Sequence, residues 1–236
     1  MRTSQASGRS QTVQPSHSRH SRLSRLSRRW WAVPAGFAAG SVPVSWIAAK
    51  ATAGVDLRES GSGTVSGSGL HAVSGFRVLA LAGVVELGKG ALGAALAGRR
   101  HPAVAALAAG AAVSGHNWSP WLRGAGGRGI SPAVGALLVA APAGAGVLLG
   151  GLAAGRLAGA TAVGCLAADL LVVPVSRRAH GPAGAIAAGA VVVPLIAKRL
   201  AGNSRVPPSG SRVTYLWRLL FDRDVPRVAS RSEAGR

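Results

Sequence analysis

Gly54-Val-Asp-Leu-Arg-Glu-Ser-Gly-Ser-Gly-Thr-Val-Ser-Gly-Ser-Gly69 is a long polar stretch set between two apolar runs, Trp30 to Ala49 before it and Phe76 to Ala97 after it. Each flank is long enough to matter. At about 1.5 Å per residue, a helix of about 20 residues just crosses a hydrocarbon core of roughly 30 Å. The stretch therefore reads as a loop between membrane-crossing helices. Within it Gly61, Gly63, Gly67 and Gly69 alternate with Ser62, Thr64, Ser66 and Ser68. Such a run lets the backbone visit positive φ and turns N–H groups and small hydroxyls toward one point, which suits an anion and above all a phosphate. Arg58 adds charge just upstream. On composition alone a flexible Gly/Ser linker is the better reading, and the site reading depends on the motifs around it.

The whole chain supports the membrane assignment. Its 236 residues are 48% hydrophobic, with 27 Lys and Arg against 7 Asp and Glu, a net charge of +20. The mean hydropathy is +0.31. The charges gather at both ends and in short breaks between apolar runs, the distribution of a polytopic membrane protein with basic loops and tails. A nucleic-acid binder shares the charge but needs no series of Ala/Val/Leu/Gly runs, so nucleic acid is not an expected partner. The single cysteine, Cys165, excludes both a disulfide framework and a cysteine metal site.

Taken in order, residues 1–29 are rich in Arg and Ser and hold no acid. They read as a basic, disordered cytosolic tail that also resembles a transit peptide. Leu23, Leu26 and Trp30 among arginines would suit an anionic membrane surface. The first apolar run is interrupted at Gly40-Ser41-Val42-Pro43, which predicts a kink or a site of close packing. The second run holds Glu86 and Lys89, charges that inside a span face each other or a polar cavity. It also holds Gly83 to Lys89-Gly90, a G-x-x-x-x-G-K pattern. A nucleotide-binding loop needs Ser or Thr where Gly90 stands, and these residues are apolar, so that function is excluded. Further runs cover Pro102 to Ser114, Ile130 to Ala154, Leu157 to Val175 with Asp169 inside, and Gly181 to Ala197. Between them lie Gly115 to Trp121, the basic glycine loop Arg123 to Gly129, and Ser176 to His180. The expectation is an all-α membrane bundle of about six spans, five to seven, with glycine-rich polar loops at one face. Its divisions are residues 1–29, a membrane domain over 30–203, and a basic tail over 204–236. In that tail Val213, Leu216, Trp217 and Leu220 form a stripe flanked by Arg212 and Arg218 that suits the membrane interface. Two Arg-rich ends argue for both termini in the cytosol and an even span count.

The polar groups not explained by packing are Arg58, Ser62, Thr64, Ser66, Ser68, Lys89, His116 and Arg128. They are neutral or cationic donors, so the ligand they suit is anionic. The scattered histidines offer no metal-ligand spacing, and no nucleophile elbow is present. No metal or cofactor is expected.

These motifs, in this order, resemble the bacterial membrane glycerol-3-phosphate acyltransferases that use acyl phosphate as donor. That family has G-S-I-P in its first span, then G-[IV]-D-[IL]-R-x-x-G-S-G-N; here stand Gly40-Ser41-Val42-Pro43 and Gly54-Val55-Asp56-Leu57-Arg58-Glu59-Ser60-Gly61-Ser62-Gly63-Thr64. An acidic residue followed by K-G is matched by Glu86 and Lys89-Gly90. G-H-x-[FY]-P followed by G-G-K-G is matched by Gly115-His116-Asn117-Trp118-Ser119-Pro120 and Gly126-Gly127-Arg128-Gly129. The four motifs span roughly residues 36–203. The resemblance implies a helix bundle in the cytoplasmic membrane, with acyl phosphate, glycerol 3-phosphate and membrane lipids as partners. Acyl transfer between the two phosphates would give lysophosphatidic acid. No motif specifies a docking enzyme of fatty-acid synthesis. By matching position, Ser62 and Arg128 would contact phosphate, together with Arg58, Gly63, Thr64, Ser66, Ser68, Gly126 and Gly127. Lys89 would support the loops, and Ser62, Lys89, His116 and Arg128 would make up the catalytic set. Arg replaces the family's Lys at Arg128, keeping the charge with a different geometry.

The chain also departs from the family. Thr64 stands for its Asn, Ala72 for an arginine, and Gly159-Ala160-Thr161-Ala162 for its S-L-x-S. Lys198-Arg199-Leu200 survive from H-R-x-N-I-x-R-L without the His and Asn. The family's N-terminus lies outside the cytosol, against the basic tail here. A second expectation therefore stands beside the first: a catalytically degenerate relative that keeps the fold and an anion pocket as a lipid-binding or regulatory membrane protein.

Overall fold

The computed structural model describes residues 29–60, 63–202 and 212–222. Among them are eight α-helices: α1 Ala32–Ser41, α2 Val44–Ala53, α3 Gly67–Ala97, α4 Pro102–Asn117, α5 Ile130–Ala140, α6 Pro142–Leu157, α7 Thr161–Ala201 and α8 Arg212–Phe221. A 3-10 turn, Pro120–Leu122, follows α4. Three stretches are long and apolar enough to cross a membrane: 32–53 (α1 with α2), α3 and α7. Most of the expected N-terminal tail, and much of the C-terminal one, lies outside the described residues.

Breaks in the helices follow local chemistry. The expected interruption of the first run is real: Pro43 sits at φ −86°, ψ 68°, between α1 and α2. The run Ile130 to Ala154, expected as one span, is two helices. Pro142 bars its predecessor from helical geometry, and Ala141 is extended at φ −157°, ψ 75°. The break expected over Ser176 to His180 falls instead at Gly181, whose φ of 65° and ψ of −159° suit only glycine. The two limbs of α7 fold back on each other there, so that Arg199 near the end of one reaches Ala162 at the start of the other, Nη1 to O at 2.9 Å. Gly83 to Gly90, rejected above as a nucleotide loop, is continuous helix inside α3.

On α3 the charged and small residues point inward, and the large apolar ones outward. Glu86, Lys89, Gly90, Gly93 and Ala97 are buried. Leu81, Val84, Val85, Leu92 and Leu96 are exposed on the opposite side. That arrangement is the reverse of a soluble amphipathic helix and fits lipid as the surrounding solvent. Behind the inward face, α4 packs against α1, α3 and α7, and α6 against α7. Val113, Val134, Leu137, Leu148, Val172, Val191 and Leu195 form the largest buried cluster. Close crossing of α3 and α5 depends on glycine: a Cβ on Gly90 would run into the Pro132 carbonyl, and one on Gly135 into that of Leu87.

Candidate active site

The loop after α2 is pinned by its own acid. Asp56 accepts hydrogen bonds from Trp46 Nε1 at 3.0 Å, from the Arg58 amide at 2.9 Å, and from Arg58 Nε and Nη2 at 3.1 and 2.8 Å. The Arg58 guanidinium beside it holds the Asp56 carboxyl well below the usual carboxylate range. Asp56 in turn raises the Arg58 value. Arg58, expected on phosphate, is thus committed to Asp56 and lies over the Trp46 ring at 5.8 Å. Leu57, Val65 and Leu70 bury beneath the loop with Leu122. The Val65 amide donates to Gly126 O at 3.3 Å, tying the first glycine loop to the second. Ser66 caps α3 by accepting from the Gly69 amide, and its hydroxyl lies 3.1 Å from that of Ser68. Ser62 lies outside the described residues.

Glu86, Lys89 and His116 form a buried charge network. Lys89 Nζ lies 2.8 Å from Glu86 Oε2 and donates at 2.6 Å to Val42 O, a carbonyl exposed by the break before Pro43. The same carboxylate oxygen lies 3.0 Å from His116 Nδ1. This fixes the ring of His116 at the end of α4, against the second glycine loop, where a Cβ on Gly127 would run into Nε2. Ser119 Oγ donates to Ser41 O at 2.6 Å, and Trp121 Nε1 to Ser41 Oγ at 3.0 Å. The fully buried Asn117 donates to Pro194 O at 2.8 Å.

Arg128 stands at the mouth of this assembly. Its Nη1 donates to Lys198 O at 3.3 Å and its Nη2 to Asp222 O at 3.1 Å, while Nε pairs with Asp222 Oδ1 at 3.1 Å. Asp222 follows α8, which is anchored by Arg218. That side chain was expected to flank an interfacial stripe; it is instead buried, and donates to Leu200 O and Ala201 O at 3.2 and 2.7 Å. The cause is geometric. The end of α7 leaves carbonyls without intrahelical donors, and a guanidinium serves them. Val213, Leu216 and Leu220 of the stripe remain exposed. Burial pushes the Asp222 carboxyl up, against the pull of Arg128 and Arg199.

A cavity of about 710 Å³ joins these parts. Its polar wall carries Thr64, Ser66, Ser68, His116 and Arg128, five of the expected site residues. Phe76, Leu79 and Leu152 give it an apolar wall. Lys89, Arg58, Gly63, Gly126 and Gly127 are not on the wall: Lys89 stands behind it, Arg58 is held by Asp56, and the glycines shape the loops. Sequence reasoning missed Thr161, Asp169, Arg199 and Asp222 as wall residues. For Asp169 the signal was present, a lone acid in an apolar span. Asp222 had none, because it reaches Arg128 across 94 positions.

Comparison with known proteins agrees with this architecture. The protein-family description "Glycerol-3-phosphate acyltransferase" matches residues 30–204. Glycerol-3-phosphate acyltransferase 4 of Dehalococcoides mccartyi is 34% identical over 116 residues, 47% of this chain and 48% of that protein. Glycerol-3-phosphate acyltransferase 2 of Moorella thermoacetica is 37% identical over 118 residues, 47% of this chain and 58% of its own. The glycerol-3-phosphate acyltransferase of Roseobacter denitrificans is 33% identical over 144 residues, covering 60% and 72%. The chain spans about half the length of the first two. Among solved structures, the fold matches PlsY, an integral membrane glycerol 3-phosphate acyltransferase, in its glycerol 3-phosphate form. The TM-score is 0.66 at 22% identity, over 73% of this chain and 88% of PlsY. With three-quarters of its length matched in one piece, this chain belongs to the glycerol-3-phosphate acyltransferase family.

Proposed function

We propose that this protein transfers a fatty acyl group from acyl phosphate to glycerol 3-phosphate in the cytoplasmic membrane, giving lysophosphatidic acid and inorganic phosphate. The observation that carries the reading is one cavity with an Arg128 cation and three small hydroxyls on one wall and apolar side chains on another. Phosphate suits the first wall and an acyl chain the second. In the reaction the acceptor hydroxyl oxygen bonds to the acyl carbon, and the bond from that carbon to the donor's phosphate oxygen breaks. The departing group leaves as phosphate. Arg128 and the loop amides stabilise the charge that builds on the acyl oxygen and the leaving phosphate. His116, oriented through Nδ1 by Glu86, takes the hydroxyl proton at Nε2 and returns it to phosphate. Among the described residues, seven crossings of the membrane complete the arrangement: residues 32–53, α3, the shorter α4, α5 and α6, and the two limbs of α7.

Purified protein supplied with both substrates is expected to release inorganic phosphate. Arg128→Ala should lower kcat/KM by about 100-fold or more, the usual scale for losing a charge-stabilising donor. Absence of release above that variant's level defeats the reading. One observation favours the second reading, a non-catalytic anion or lipid binder: Arg128 already holds a carboxylate, that of Asp222. Tight phosphate binding without release in the same preparation would select it.

A further inference from the structure

Asp169, on the first limb of α7, is 2% exposed and lies on the cavity wall. Among the described residues, neither carboxylate oxygen has a hydrogen-bond partner. The neighbouring cation does not supply one. Arg199 Nη2 stands 3.8 Å from Oδ2, beyond hydrogen-bond distance. Its Nη1 is spent on the Ala162 and Leu219 carbonyls at 2.9 and 3.1 Å. A buried carboxylate with both oxygens unserved is costly and calls for a donor.

The surroundings limit what that donor can be. Arg128, Arg156 and Arg199 line the same cavity, beside Glu86, Asp169 and Asp222, so an anionic group on the ligand finds cations to meet it. A carboxylate only accepts, and its two oxygens face one way, so it matches two hydroxyls on adjacent carbons. The ligand that satisfies both conditions is a vicinal diol attached to an anionic group. We propose that Asp169 recognises the acceptor substrate by its diol: in the complex without acyl donor it accepts hydrogen bonds from the C1 and C2 hydroxyls of glycerol 3-phosphate while the arginines hold its phosphate, and in the reacting complex it keeps the C2 hydroxyl while the C1 proton turns to His116. The proposal rests on the acceptor named above. It makes Asp169 the residue that selects a glycerol phosphate over simpler hydroxyalkyl phosphates.

Two ligands separate the diol from the phosphate: glycerol 3-phosphate and 3-hydroxypropyl phosphate, which lacks only the C2 hydroxyl. Calorimetric binding to the purified full-length chain in detergent, without acyl donor, is expected to favour glycerol 3-phosphate by about 10-fold or more. In Asp169→Asn the preference should fall to about twofold, with inorganic phosphate bound as before. Equal binding of the two ligands by the wild-type chain overturns the proposal whether or not the variant folds. Binding of neither ligand, or an undiminished preference in Asp169→Asn, also overturns it. Phosphate release from acyl phosphate is scored separately. Discrimination without release keeps the diol assignment and removes acyl transfer; release without discrimination does the opposite.

Discussion

Lys89 offers the sharpest test of how the two loops are supported. It is 8% exposed and Glu86 4% exposed, and the two meet at 2.8 Å with Val42 O as a second partner of the lysine. Replacing Lys89 by Met preserves much of the volume but leaves Glu86 with His116 alone and the Val42 carbonyl without a donor. Breaking a buried pair from one side costs about 3–5 kcal/mol. The orphaned carbonyl contributes part of that sum, since single losses on one carboxylate are not additive. For a domain of this size each kcal/mol shifts Tm by roughly 2–4 °C, so Lys89→Met should melt about 6–20 °C below the wild type. Glu86→Gln combined with Lys89→Met removes the stranded charge and should recover half or more of the loss. The assay is circular dichroism melting in detergent, with phosphate affinity measured alongside. A Lys89→Met protein within about 3 °C of the wild type, or one with intact melting and weakened phosphate binding, would refute the support role.

Other outcomes follow from single contacts. Gly135→Ala puts a methyl group into the Leu87 carbonyl and should cost about 1–3 kcal/mol. Gly150→Ala, with open space around its Cα, should gain about 0.5–1 kcal/mol of helix preference in the same melts. The folded Asp56 carboxyl titrates below its unfolded value, so its contribution to stability is complete at neutral pH and declines only as pH falls below about 4. The Tm difference between wild type and Asp56→Asn should therefore be constant from pH 8 to 5 and shrink on further acidification. Asp222→Asn removes the negative charge paired to Arg128 and should tighten inorganic phosphate several-fold by calorimetry.

How much of this was legible in the sequence depended on the range of the interaction. Gly40 to Pro43 announced a break because proline and glycine act on their own backbone, and the break is there. The pre-proline restriction at Ala141 was equally local and was passed over because the apolar run around it looked continuous. Gly181 competed with a cluster of basic residues for the role of punctuation; the charges of Arg177 and Arg178 proved compatible with helix, whereas the backbone of Gly181 did not. That Thr64, Ser66, Ser68, His116 and Arg128 would gather on one cavity wall was legible because each belongs to a compact motif. For Arg58 the sequence reading did not weigh a contact only two residues away, the clasp with Asp56. Asp169 stood out as a lone acid in an apolar span and Arg199 within Lys198-Arg199-Leu200. That they share a cavity wall with Asp222 depends on helices returning from far along the chain, which no local pattern carries.

The clasp between Arg128 and Asp222 also bears on which anions can enter. A counter-ion supplied by the chain itself spares Arg128 the cost of standing in the site without negative charge, a penalty of several kcal/mol in a dry setting. Any ligand must therefore exchange with a carboxylate rather than fill a vacancy. Its apparent affinity is the intrinsic one multiplied by the fraction of molecules in which Asp222 has withdrawn. Were that fraction about 1%, every anion would bind about 100-fold more weakly than the bare arginine allows. A phosphate that also carries a diol or an acyl chain has further contacts with which to win the exchange. On the proposed function, the internal acid would act as a threshold that favours ligands holding the protein in more than one place.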